Sequence, residues 1–95
     1  MVVGVLKLSL LLPENHSLKG KRGVLKSIQA RVSNRFNVST TECGDHELWQ
    51  SAVLGFAAAG ASRQVVEAML QKIVECVDDM GLVQVRDSEM EFFHC

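Results

Sequence analysis

The sequence predicts an α+β domain in which one four-stranded antiparallel sheet carries two helices on a single face. Three observations support that prediction. Two long apolar runs can alternate between the faces of a sheet, two other stretches repeat apolar residues every three or four positions, and turn-forming residues separate the patterns. In chain order they read β-α-β-β-α-β.

The first strand runs from Val2 to Leu12. Leu6, Leu8, Leu10 and Leu12 point to one face, and Val3, Val5, Lys7 and Ser9 to the other. Because the second face is half apolar, a covering partner is expected there. Pro13 stops the ladder, and Glu14-Asn15-His16 makes a short loop. Ser17 is a good N-cap for a helix reaching Phe36, whose apolar stripe is Leu18, Leu25, Ile28, Val32 and Phe36. On the helical wheel Lys19, Arg22 and Lys26 flank one side of the stripe, and Arg31 and Arg35 flank the other. Lys21 falls inside the apolar arc, and its ammonium is expected to emerge past the edge of the sheet. Gly20 and Gly23 each weaken the start of this helix by up to about 1 kcal/mol relative to alanine, and leave room for a ligand or another backbone.

Asn37 to Cys43 is polar and Thr-rich, which suits an edge strand, and Gly44-Asp45-His46-Glu47 is the turn that follows. Leu48 to Ala59 reads as a second long strand, with Leu54, Phe56, Ala52 and Ala58 on one face and Trp49, Val53 and Ala57 on the other. Apolar residues on both faces mark it as central. Gly60-Ala61 ends it, and Ser62 caps a second helix with the stripe Val66, Met69, Leu70, Ile73, Val77 and Met80. Gly81 is a C-terminal stop. Leu82 to Phe93 is the last strand, with Val83 and Val85 facing inward. Two right-handed crossovers then give the split βαβ arrangement of a ferredoxin-like sandwich, strand order 4-1-3-2.

A chain of 95 residues is one such domain, from residue 1 to 95, with enough apolar content (47%) for a single core. Three cysteines, Cys43, Cys76 and Cys95, form no disulfide framework and point to reduced thiols in a cytoplasmic protein. The N-terminal apolar run is short and interrupted by Lys7, so neither a membrane span nor a signal peptide is expected.

The residues give no enzymatic site. Asp78-Asp79, Glu89 and Glu91 read as solvated charges rather than catalytic carboxylate pairs. Cys43 and His46 have a Cys-x-x-His spacing, but a zinc site needs three or four converging ligands and no second close pair exists. Neither a Walker loop nor a dinucleotide fingerprint is present, so no metal or cofactor is expected.

Charge distribution is more informative than the net charge of −1. Lys19, Lys21, Arg22, Lys26, Arg31 and Arg35 share the first helix with no acid among them. Cations in a first turn oppose the helix dipole, at about 0.3–1 kcal/mol each when exposed. Their functional reading is phosphate contact, and their flanking positions suit a broad nucleic-acid backbone better than a tight pocket. RNA binding across the sheet is disfavoured, because Val3, Val5, Lys7 and Ser9 offer no aromatic platform. That face instead predicts a homo-oligomer interface built on Val3, Val5, Trp49 and Val53. The alternative to an RNA role is therefore an oligomeric scaffold or ligand-sensing module.

Val3-Gly4-Val5-Leu6, Ser17-Leu18-Lys19-Gly20-Lys21-Arg22, Phe36-Asn37-Val38-Ser39, and Leu48-Trp49-Gln50 with Ala52 and Leu54-Gly55 together resemble the YlxP-like family of small bacterial proteins. The resemblance covers nearly the whole chain. It implies a ferredoxin-like fold and a cytoplasmic protein with no established enzymatic activity. Members are often encoded beside translation and ribosome-maturation factors, so the resemblance also implies ribosomal RNA or the ribosome as partner.

Overall fold

The computed structural model describes Met1–Cys95. Its elements are β1 (Val2–Leu11), α1 (Leu18–Arg35), β2 (Ser39–Gly44), β3 (Ser51–Gly60), α2 (Arg63–Asp79) and β4 (Gln84–His94). The sheet order is β2-β3-β1-β4 with every neighbouring pair antiparallel, which is the expected order read from the opposite edge. The ferredoxin-like sandwich is therefore the fold of this chain.

The uninterrupted β1–β3 register, from Val2↔Gly60 to Leu11↔Ser51, fixes which residues share a face. It brings Leu6, Leu8 and Leu10 beside Phe56, Leu54 and Ala52, all buried under the helices. Leu25, Ile28 and Val32 of α1 and Val66, Leu70, Ile73 and Val77 of α2 complete the central part of a 17-residue core. Each fully buried Val, Leu, Ile or Phe contributes about 1.5–3 kcal/mol of transfer free energy. Gly4 lets α2 lie close on β1: a methyl group there would sit 2.9 Å from Leu70 Cδ1 and against Val66 Cγ1.

Local signals set the helix ends. Ser17 Oγ accepts from the Gly20 amide at 3.0 Å, and Ser62 Oγ accepts from the Val65 amide at 3.3 Å. Beyond α2, Gly81 takes a φ of +68°, the left-handed conformation that closes a helix C-terminus.

One boundary differs in a way that matters. β3 begins at Ser51 rather than Leu48, leaving Asp45 to Gln50 as a loop. Pro13 has no amide to donate, and β1 has already ended at Leu11, so residues 48 and 49 find no strand to pair with. The last backbone hydrogen bond along this edge is the Leu12 amide donating to the Gln50 carbonyl at 2.8 Å. Asp45, with a φ of 58°, turns the chain out of β2. Trp49 therefore lies in the loop before β3, not within the strand that the alternation predicts to carry it onto the open sheet face beside Val53.

Candidate nucleic-acid interface

Five cations of α1 reach solvent: Lys19, Arg22, Lys26, Arg31 and Arg35 are all exposed. None takes part in an ion pair, since the ion pairs of the chain are Lys21–Glu42 and Arg63–Glu67, with the His46 imidazole also near Glu42. The helix places them in two rows. Lys19, Arg22 and Lys26 succeed one another at helical-neighbour spacing of about 5–6 Å, as do Arg31 and Arg35. From Lys19 to Arg35 the set spans about 24 Å of helix axis. Neighbours lie within the Debye length of about 8 Å at physiological salt, so their potentials reinforce one another. The Arg35 guanidinium rests 5.2 Å from the centroid of the Phe36 ring. Gln29, beside the Lys19 row on the wheel, donates to Thr40 Oγ1 at 3.1 Å, so that side of α1 leans towards β2.

The sixth cation behaves differently. Lys21 does not emerge past the sheet edge. It is 1% exposed, and its ammonium donates to the carbonyls of Asp45 (2.7 Å), Ser51 (3.2 Å) and His46 (3.3 Å). Glu42 Oε2 stands 3.5 Å away and is buried with no hydrogen bond of its own, so Lys21 is its electrostatic partner. An ammonium has three donors, and here carbonyl oxygens fill that capacity while a carboxylate balances the charge. That arrangement is what makes burial of a cation tolerable. Lys21 is a structural tie between α1 and the β2–β3 loop, so it is removed from the set that can meet a phosphate.

A second tie holds the same loop. Asn15 Nδ2 donates to the Ser17 carbonyl and to the Trp49 carbonyl. Gln50 Nε2 donates to the carbonyls of Pro13 and Asn15, at 3.2 and 3.1 Å. The space left by Gly20 is occupied from within, because a methyl group there would meet Asn15 Oδ1 and lie 3.1 Å from Ser17 Oγ. The loop is thus fastened to the start of α1 through Lys21 and Asn15. Yet its apolar side chains stay in water: Leu48 is 52% and Trp49 54% exposed.

The other side of the sheet is uncovered by any element. Val3, Val5, Val53 and Ala57 are half-buried there, and Val5 and Ala57 join Thr41 and Cys43 in lining a shallow depression of about 240 Å³ over Gly55. Register puts Glu91, Glu89 and Asp87 of β4 opposite Val5, Lys7 and Ser9 on this face. Lys7 makes no ion pair with them.

The remaining polar groups stay apart. Cys43 lies against Gly55 on the open face, whereas His46 Nδ1 stands 3.6 Å from Glu42 Oε1. No group of three or more His, Cys, Asp or Glu side chains is placed to hold a metal ion. No helix is long and apolar enough to cross a membrane.

Comparison with known proteins agrees with this architecture. Residues 3–90 match the family described as "Protein of unknown function (DUF503)". Over 92 residues, 97% of this chain and all of the relative, the sequence is 35% identical to the uncharacterized protein YlxP of Bacillus subtilis (strain 168). Among solved structures, the de novo designed protein Foldit4 superposes with a TM-score of 0.56 at 13% identity, over 100% of this chain and 99% of that one. A variant of SnoaB, a cofactor-independent oxygenase from Streptomyces nogalater, gives a TM-score of 0.51 at 11% identity, over 99% of this chain and 92% of that one. At such identities the structural likeness is one of fold alone.

Proposed function

This chain belongs to the DUF503 family of proteins of unknown function, the YlxP-like proteins its motifs resemble, and within it we propose a non-enzymatic RNA- or ribosome-associated accessory module. The observation that carries the reading is the set of five exposed cations on α1 without an acid within ion-pair distance. Internal ion pairing would have met the acidic remainder of the chain; instead these charges stand free on a helix whose other side is fixed to the core. A polyanion that displaces counterions along these two rows gains affinity from each phosphate it places there.

The test is a salt titration of binding to ribosomal RNA fragments. Engagement of all five cations gives a slope of log K against log salt of about −3.5 to −4.5, from −0.7 to −0.9 per phosphate. The double substitution Lys19→Ala with Arg22→Ala should flatten that slope by about 1.4–1.8. Affinity that ignores salt, or no binding at low salt, refutes the reading.

A second reading concerns the open face and does not compete for the same residues. Lys7 lies beside Glu89 across the ladder without an ion pair, among half-buried Val3, Val5 and Val53. A second copy related by a two-fold axis would set Lys7 of each chain near the acids of the other while covering the valines. Val5→Glu should then convert a dimer to a monomer in light scattering. A monomer already in the unsubstituted protein at high micromolar concentration rules the dimer out.

A further inference from the structure

We propose that Trp49 is a stacking platform for an unpaired base, so that the polyanion recognised beside α1 is single-stranded nucleic acid rather than a duplex. This deepens the phosphate-contact reading above and rests on it.

The argument begins with what is unusual about Trp49. A large aromatic side chain is normally placed where folding covers it, yet this one is 54% exposed, next to the equally open Leu48. Its backbone, by contrast, is held on both sides. The Trp49 carbonyl accepts from Asn15 Nδ2, the Gln50 carbonyl accepts from the Leu12 amide at 2.8 Å, and Lys21 gathers the Asp45, His46 and Ser51 carbonyls. An aromatic ring on an anchored backbone loses little further freedom when a planar partner stacks on it.

Position supplies the second half of the argument. Asn15 bonds both the Trp49 carbonyl and the carbonyl of Ser17, the N-cap of α1. The Trp49 backbone is therefore held at the end of α1 from which the exposed row Lys19, Arg22 and Lys26 departs. An indole next to cations spaced along a helix is the pairing that single-stranded binders use: phosphates on the cations, a base on the ring. A duplex keeps its bases stacked inside and offers that ring nothing comparable. The open sheet face, which lacks exposed aromatics on its central strands, takes no part.

The chain has one tryptophan and no tyrosine, so intrinsic emission reports on Trp49 alone. Twenty-nucleotide oligouridylate and a blunt RNA duplex of equal length are titrated into the intact protein at fixed salt. Stacking predicts that the single strand quenches Trp49 and the duplex does not. Trp49→Ala should weaken oligouridylate binding roughly 5- to 150-fold, the range expected for one stacked base. It should leave the slope of log K against log salt unchanged, whereas Lys19→Ala with Arg22→Ala changes that slope. Trp49→Phe should recover most of the loss. Equal binding of both RNAs with unquenched Trp49 overturns the stacking proposal and leaves the phosphate reading standing. Absence of binding by either RNA overturns both. An oligoglutamate that quenches Trp49 as strongly as oligouridylate would assign the surface to an acidic peptide and overturn the proposal as well.

Discussion

Lys21→Met lowers the unfolding free energy by about 3–5 kcal/mol, the range for removing one partner from a buried ion pair. The substitution leaves the Glu42 carboxylate without its Lys21 partner and takes the donor away from the carbonyls of Asp45, His46 and Ser51. For a domain of this size about 1 kcal/mol corresponds to 4–8 °C, so the melting temperature should fall by at least 12 °C. Adding Glu42→Gln should recover part of the loss, because the orphaned charge goes with it. Lys19→Met and Arg22→Met give the contrast. Both side chains are exposed and oppose the helix dipole, so removing either leaves stability unchanged or raises it by about 0.3–1 kcal/mol. Equilibrium denaturation of the four variants checks the set. A Lys21→Met protein within 1 kcal/mol of the parent would show that the carbonyl cage is not a structural tie.

Gly4 gives the second large effect. Gly4→Ala should cost about 1–3 kcal/mol, the range for overpacking a filled core, and Gly4→Val should cost more. The added carbon meets Val66 and Leu70 of α2 on one side and lies 3.4 Å from Phe92 Cδ1 on the other, so α2 must lift from β1. Gly23→Ala is the matched control. It lies in α1 with nothing within 4 Å of the new methyl group, and should stabilise by about 0.5–1 kcal/mol through helix propensity. A shift of denaturation midpoint at constant slope separates these changes from effects on the unfolded chain. Equal tolerance of alanine at both positions would mean that the β1–α2 contact is looser than the structure has it.

The sheet and its core were legible because period two and period 3.6 leave different marks. Leu6, Leu8 and Leu10 identify a buried strand face, and Leu25, Ile28 and Val32 a helix stripe, without any knowledge of partners. Lys21 carried the same mark, since it sits at 21 in the series 21, 25, 28 and 32, all of which are buried. What periodicity could not supply was its partner. The carbonyls that receive its ammonium converge only once Asp45 adopts a positive φ and the loop closes, a tertiary arrangement with no local signature. Trp49 was misplaced for a related reason. Leu48, Trp49 and Gln50 continue the alternation of β3, but a strand also needs a neighbour, and Pro13 withdraws it. The exposed set on α1 was visible directly as five cations off the stripe. Its lack of ion pairs became visible only when the positions of all eleven acids were known.

The sheet order has a consequence for how the protein is made. β1 sits between β3 and β4 and is made before both, so its second edge is shielded only when Gln84–His94 has been added. At about 5–20 residues per second, several seconds separate the synthesis of the two. Throughout that interval β1, ten residues rich in valine and leucine, lacks its β4 neighbour and leaves one edge unpaired. Stalling the chain before residue 84 should therefore yield an aggregation-prone intermediate, and a holdase chaperone would have its greatest value during that window.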